Sequence, residues 1–489
     1  MRLAALAFLV SSLAWPKTEV VALPGKSPLV NFRIVFRVGA ASDPAGKHGA
    51  AALTAAMLSR GGTKSMTYKQ VVDALFPMAA SIQEQVDKEM TVFSGVTHID
   101  NLENYYRIFR EALLEPGWRE EDLKRLRDDL INYLQITLRG NNDEELGKEV
   151  LYNEIYRGRP YGWNNAGAVA DLQAITMEDL KKFYREHFTQ ANLILGVAGG
   201  YPPGFLDRVK KDFAALPAGV EKPLKLPSPA PISATRVVMV EKKTRSVAYS
   251  LGFPIEVRRG HPDYPALLVA QSYLGQHRQS TGRLYQRMRE ARGLNYGDYA
   301  YIEYFPRGMF QFEPDPNLAR QQQIFQIWIR PVEPPTAHFA LRLAMFELNR
   351  FLRDGISEEA FQKTRNFVSK YVNLLLKTKD AELGYAIDSR WYGIPDHPAY
   401  IRQGLAKMTR EDVNRAIRKH LRSDRMVVVV VAQDCDALKR QFLSEAPSPM
   451  TYNAPKPEEI TREDKIIETL KLGFQPENIQ IVPVEKIFE

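Results

Sequence analysis

The feature that most constrains the fold is an internal repeat. Thr176-Met-Glu-Asp-Leu180, Arg185, His187 and the apolar run Asn192–Ala198 recur as Thr409-Arg-Glu-Asp-Val413, Arg418, His420 and Arg425–Val431. The offset is 233 residues throughout, without a gap. Each copy reads as a helix with a threonine N-cap and acids in its first turn, running into a buried strand. A period this long implies two homologous domains and not a solenoid of short units.

Composition marks the joint between them. Pro217, Pro223, Pro227, Pro229 and Pro231 crowd a segment that suits neither a helix interior nor a central strand. The expected division is residues 18–216 for the first domain, 217–234 for a linker, 235–446 for the second domain and 447–489 for a C-terminal extension. The extension carries one amphipathic segment and an apolar run, Ile479–Val484, and is expected to dock on the body. At the other end, Arg2 precedes a short apolar run from Leu3 to Trp15, with Ser12-Leu13-Ala14 as a cleavage site. Residues 1–17 therefore read as a signal peptide, and export to the periplasm or the medium is expected. That run is shorter than the ~20 residues a membrane-spanning helix needs, and no longer one follows.

The balance of the 489 residues narrows the function further. A net charge of +8 is mild for this length, and the basic residues are scattered, so nucleic-acid binding is not expected. The single cysteine, Cys435, excludes a disulfide framework or a cysteine zinc site within one chain. No two of the eight histidines lie three or four residues apart, so no helix presents a His–His pair to a metal. No G-x-S-x-G elbow, dinucleotide-binding loop or P-loop occurs. Strands early in each half and helices later point to an α+β fold, each domain an antiparallel-rich sheet with helices on one face.

One stretch is informative for chemistry. The amphipathic strand Phe32–Gly39 leads through Asp43-Pro-Ala-Gly46 into an alanine-rich helix that ends Met57-Leu-Ser-Arg-Gly-Gly62. A strand, a turn and a helix of this form resemble the metal-binding segment of the pitrilysin/insulinase (M16) zinc peptidases. In that family the helix bears H-x-x-E-H, two zinc ligands and the general base. The resemblance puts those positions at Ala52, Ala55 and Ala56, and the third ligand, a glutamate in the family, at Gln135. None of the four can supply the family's chemistry, so no zinc is expected in this chain.

A second stretch keeps its family pattern. Arg283-Leu-Tyr-Gln-Arg-Met-Arg289-Glu-Ala-Arg-Gly293-Leu-Asn-Tyr296 reads as a helix over 282–291, stopped by Gly293, with a strand starting near Tyr296. It resembles the R-L-x-x-x-x-R-E-x-x-G-L-x-Y motif of the same family. There the matching arginine and tyrosine, here Arg289 and Tyr296, hold the substrate carbonyl as it becomes an oxyanion. In two-chain members, one subunit brings H-x-x-E-H and the other brings this pair. The resemblance thus implies a non-catalytic subunit that completes the peptide site of an H-x-x-E-H-bearing partner, with zinc in that partner. The alternative is a peptide-binding scaffold with no part in proteolysis, holding extended peptides by strand addition.

Overall fold

The computed structural model describes residues 18–220, 224–306, 308, 311–444 and 446–489. The expected signal peptide, 1–17, lies outside the described residues. Two sheets organise the chain. The first contains β1 (Glu19–Pro24), β2 (Leu29–Phe36), β3 (Gln83–Val86), β4 (Thr91–His98) and β5 (Leu193–Gly199), in the order β1-β5-β2-β4-β3. The second contains β6 (Arg236–Glu241), β7 (Val247–Ile255), β8 (Asp298–Tyr301), β9 (Gln323–Val332), β10 (Val427–Ala432) and β11 (Ile479–Pro483), in the order β11-β6-β10-β7-β9-β8. Without β11 the two orders are the same: a parallel pair at one edge (β1 with β5, β6 with β10), then antiparallel strands. The repeat in the sequence is thus a repeat of topology. The matching helices Met177–His187 and Arg410–His420 both carry a threonine capping box, Thr176 with Asp179 and Thr409 with Asp412.

Alternation along the strands explains how each sheet is covered. On β2, Val30, Phe32, Ile34 and Phe36 join the main core under the helices of the first half. The opposite face of the sheet, with Val35, Val92 and Ile194, packs against Leu383 and Ile387 of the helix Lys379–Tyr392. That helix belongs to the second half of the sequence. Gly196 on β5 lets it approach: a Cβ there would lie 2.9 Å from Ile387 Cδ1 and 2.7 Å from the Arg33 carbonyl oxygen. In exchange, the helix Asp143–Ile155 of the first half lies on β7 and β10 of the second sheet. The expectation of helices on one face is therefore incomplete. Each sheet has its own helices on one face and a helix of the other half on the opposite one, and only tertiary structure specifies that exchange.

The exchanged elements carry buried charge, and its partners lie across the sequence. Asp87, in the β3–β4 turn, receives Arg320 Nε at 2.7 Å and Nη2 at 2.5 Å, and both residues have no exposed surface. The Arg320 guanidinium lies 3.5 Å from the Tyr304 ring centre. Arg33 on β2 binds Asp380 through Nε at 2.8 Å and Nη2 at 2.5 Å, and donates to Asn317 Oδ1 at 3.0 Å. On the Asp143–Ile155 helix, Glu144 takes Arg330, Glu145 takes Lys148, and Glu149 takes Tyr304 and Asn164. Such groups are tolerated away from water because their partners are in place.

The extension docks as expected, and more tightly than its composition indicates. Strand β11 pairs in parallel with β6. The terminal residues reach the first half, where Val169 N donates to the Phe488 carbonyl at 3.0 Å and Arg139 Nε to that of Ile487 at 2.6 Å. The described residues of the proline-rich linker have no regular structure and are pinned through their carbonyls: Arg159 Nε donates to Ser228 O at 2.6 Å, and Gln322 Nε2 to Pro227 O at 3.2 Å. Strand β9 and the helix Lys379–Tyr392 were not anticipated. The strand is almost fully buried, and the buried side of the helix includes Gly384, Asp388 and Ser389 beside its apolar residues, so neither shows the apolar–polar alternation by which strands and surface helices are read.

The Asp87–Arg320 pair gives a stability test. Asp87→Asn or Arg320→Ala leaves a buried charge without its counter-ion and should cost about 3–5 kcal/mol in urea unfolding. The double variant Asp87→Leu/Arg320→Met should recover much of that loss, and additive losses would show that the two residues act independently.

Candidate functional site

The alanine-rich helix spans Ala50–Arg60. Asp43 holds its start: the Gly49 and Ala51 backbone N–H groups donate to Asp43 Oδ2 at 2.6 Å and Oδ1 at 2.7 Å. The carboxylate satisfies two of the free N–H groups of the first turn and faces the positive end of the helix dipole. Burial nonetheless pushes its pKa up to about 7, against the pull of those N–H groups and of the Lys88 ammonium. At the other end, Ser59 Oγ and Arg60 Nε share the Glu84 carboxylate at 2.7 and 2.9 Å.

Ala55 and Ala56 are buried and Ala52 is half-buried. Gln135 is exposed, in the wide π-type turn Tyr133–Gly140 that follows the helix Glu120–Asn132. Three methyl groups offer no lone pair to a metal and no base to a water, so these residues do not fit the zinc ion that H-x-x-E-H would hold. Among the described residues, three potential ligand atoms do meet elsewhere: those of His261, Asp263 and His420 lie within 4.8 Å of one another. Each of the three is already engaged in a hydrogen bond or ion pair. His420 Nε2 and Lys419 Nζ contact Asp263 Oδ2 at 2.7 and 2.8 Å, and the Asp263 N–H donates to His261 Nδ1 at 3.0 Å. His187, which matches His420 in the repeat, instead packs against the Phe183 ring, 4.5 Å between centres.

The second motif folds differently from its expected form. The expected helix over 282–291 is a short helix, Arg283–Tyr285, followed by a π-type turn, Gln286–Glu290. Gly293, at φ 68°, lets its own N–H reach Arg289 O at 2.7 Å and that of Leu294 reach Met288 O at 3.1 Å, which closes the turn. Tyr296 precedes the strand, which starts at Asp298 and ends at Tyr301. Its side chain is 74% exposed.

The structure does bring Arg289 and Tyr296 together. The Arg289 guanidinium carbon lies 5.7 Å from the Tyr296 ring centre and 5.0 Å from that of Tyr285, and Nη1 bonds the Tyr285 hydroxyl. Tyr285 is backed by Tyr299, Tyr301, Phe305 and Trp328, an aromatic cluster that fixes its position. The cation is therefore held between a buried phenol and an exposed one. Such a corner suits an oxygen that gains negative charge, because the donors are already oriented before the charge develops. Tyr285 was missed in the sequence, although its i,i+4 spacing to Arg289 on one helix face was the available clue.

Comparison with known proteins agrees with this layout. Residues 174–368 match the peptidase M16 inactive domain. That segment is similar to an M16 domain of the inactive type. The chain is also 24% identical over 271 residues to an uncharacterized zinc protease of Bacillus subtilis, covering 54% of this chain and 63% of that protein. It is 23% identical over 392 residues to an uncharacterized zinc protease of Rickettsia bellii, covering 77% and 87%. A probable mitochondrial-processing peptidase subunit beta of Arabidopsis thaliana is 21% identical over 45% of this chain and 42% of its own length. The matches thus span less than two thirds of the Bacillus and Arabidopsis relatives. Among solved structures, the peptidase M16 inactive domain of Pseudomonas fluorescens superposes with a TM-score of 0.73 at 22% identity, over 85% of this chain and 95% of that one. A protease from Helicobacter pylori gives 0.70 at 16% identity, over 85% and 97%. These structures share the fold of this chain.

Two measurements follow from this geometry. The purified chain, equilibrated with limiting zinc, should retain less than about a tenth of an equivalent, since tight zinc sites need three or more donor side chains; one firmly held equivalent would contradict the alanine assignment. The raised Asp43 pKa favours the neutral carboxyl in the folded state. Its contribution is complete below about pH 4 and is lost as pH rises through about 7. Asp43→Asn should therefore flatten the decline of unfolding free energy across that range by up to about 1.4 kcal/mol per pH unit. Chemical denaturation at pH 5 and pH 7.5 reads the difference.

Proposed function

We propose that this protein is the non-catalytic subunit of a two-chain zinc metallopeptidase. The observation that carries the reading is the asymmetry between its two motifs. The helix at Ala50–Arg60 has the M16 setting without donor atoms, while Arg289 and Tyr296 meet at an ordered corner with the phenol exposed. A chain that keeps a prepared cation and phenol while its alanine-rich helix lacks metal donors is suited to chemistry supplied by a second chain. That partner bears H-x-x-E-H and the zinc ion. Arg289 and Tyr296 bind the carbonyl of a peptide held between the two chains, and the charge that builds on its oxygen during water attack is met by the guanidinium and the phenol. The similarity to a mitochondrial-processing peptidase subunit supports a two-chain assembly. Export to the periplasm or the medium, from the N-terminal apolar run, is part of the same proposal.

The test is reconstitution with an H-x-x-E-H-bearing M16 chain and a fluorogenic peptide. Arg289→Ala should lower kcat/KM of the pair by about 10²–10³-fold, the usual loss for one oxyanion donor, while the complex still elutes as a heterodimer. Tyr296→Phe should keep assembly and lose a smaller factor. Unchanged turnover in Arg289→Ala would remove the proposed role.

A further inference from the structure

Arg289 stands in a π-type turn, a geometry that is poorer in regular hydrogen bonds than an α-helix and is often found at functional positions. Something must hold that turn in place, and the contacts lead to the C-terminal extension. Arg292, 3% exposed, donates from Nη1 to the carbonyl oxygen of Arg287 at 3.0 Å, inside the turn. Its other two nitrogens donate to the extension helix Glu458–Ile467: Nε to Asp464 Oδ1 at 2.8 Å and Nη2 to Glu463 Oε2 at 2.8 Å. The Asp464 carboxylate is itself fixed, since its Oδ2 accepts the Tyr452 hydroxyl at 2.6 Å. Arg287, on the turn itself, pairs with Glu463 and with the buried Glu347, to whose Oε1 its Nε donates at 2.9 Å.

We infer that the extension is a positioning strap for the Arg289–Tyr296 corner, with Glu463 and Asp464 as positioning residues that act through Arg292. The guanidinium is rigid and planar. Fixing two of its edges on carboxylates fixes the direction of the third donor, and so the place of the Arg287 carbonyl two residues before Arg289. The strap is anchored independently of this contact. Buried Arg342 donates from Nη1 to Ala446 O at 2.9 Å and to Ser448 Oγ at 3.0 Å, and β11 pairs with β6. Loss of the two carboxylates should therefore loosen the corner without releasing the extension. The functional consequence rests on the subunit role proposed above; the structural one does not.

The test uses the full chain carrying Glu463→Gln and Asp464→Asn together, read by hydrogen–deuterium exchange. Amides of residues 285–295 should exchange about tenfold faster or more, consistent with losing charge-assisted hydrogen bonds, while those of β6 and β11 stay as in the wild type. Glu459→Gln, an exposed acid of the same helix, should change nothing. Arg292→Lys should reproduce the loosening, because an ammonium cannot fork to both carboxylates and reach the carbonyl; it also serves if the double variant folds poorly. Unchanged exchange at 285–295 in a folded variant overturns the inference, as does loosening that spreads equally through β6 and β11. In the reconstituted pair, the double variant should lower kcat more than it raises KM, and Asp464→Glu on the single-variant background should restore part of it. Faster exchange at the corner with no kinetic effect from Arg289→Ala would leave the strap intact and remove the subunit role instead.

Discussion

The buried pair between Asp87 and Arg320 is the interaction on which the two-domain arrangement depends. It joins a tight turn of the first sheet to the segment that enters β9 of the second, with neither side chain exposed. A charge in that position is expensive alone and acceptable only when its partner arrives in register, so the pair demands one relative placement of the halves. Tyr304 stacks on the guanidinium and gives its hydroxyl to Glu149, which ties the helix Asp143–Ile155 to the same point. Arg33, Asp380 and Asn317 do the equivalent work for the helix Lys379–Tyr392. The halves are thus interlocked, each lending a helix to the other's sheet, and are not two beads joined by a proline-rich string.

That interlock has a consequence for the two motifs. The alanine-rich helix and the Arg289 corner sit on halves whose relative position is set by buried ion pairs, so neither can drift independently of the other. The first has become a structural element, capped by Asp43 and stapled at its end by Glu84. The second keeps features that packing alone does not require. A phenol 74% exposed next to an oriented guanidinium does nothing for the core, and Tyr296 is one of the large hydrophobic-bodied residues left in solvent. A helix without donor atoms and an ordered, open corner are the physical contrast between the two motifs.

The C-terminal extension adds a layer that the repeat does not contain. It supplies the one strand by which the second sheet exceeds the first, and its helix brings Glu463 and Asp464 to the arginines of the motif. It also reaches back to the first half through the Phe488 and Ile487 carbonyls. A segment of linker-like composition at its start therefore ends as a brace across both domains.

The sequence alone determined what local rules govern: the duplicated capped helix and strand, the proline-rich joint, the helix at Gly49 and the glycine stop at Gly293. Each is a matter of residue type and spacing within a few turns of chain, and each is visible without knowing what it packs against. Tertiary structure alone decided the rest. The strand Gln323–Val332 is covered on nearly all sides, and the helix Lys379–Tyr392 buries Gly384, Asp388 and Ser389 with its apolar residues, which blurs the amphipathic pattern that would announce them. The helix expected through 282–291 widened into a π-type turn because Arg287 and Arg292 are drawn to carboxylates some 170 residues away, Glu463 and Asp464. The exchange of helices between sheets depends on charge pairs such as Asp87 with Arg320, separated by 233 residues, and no local rule couples positions so distant.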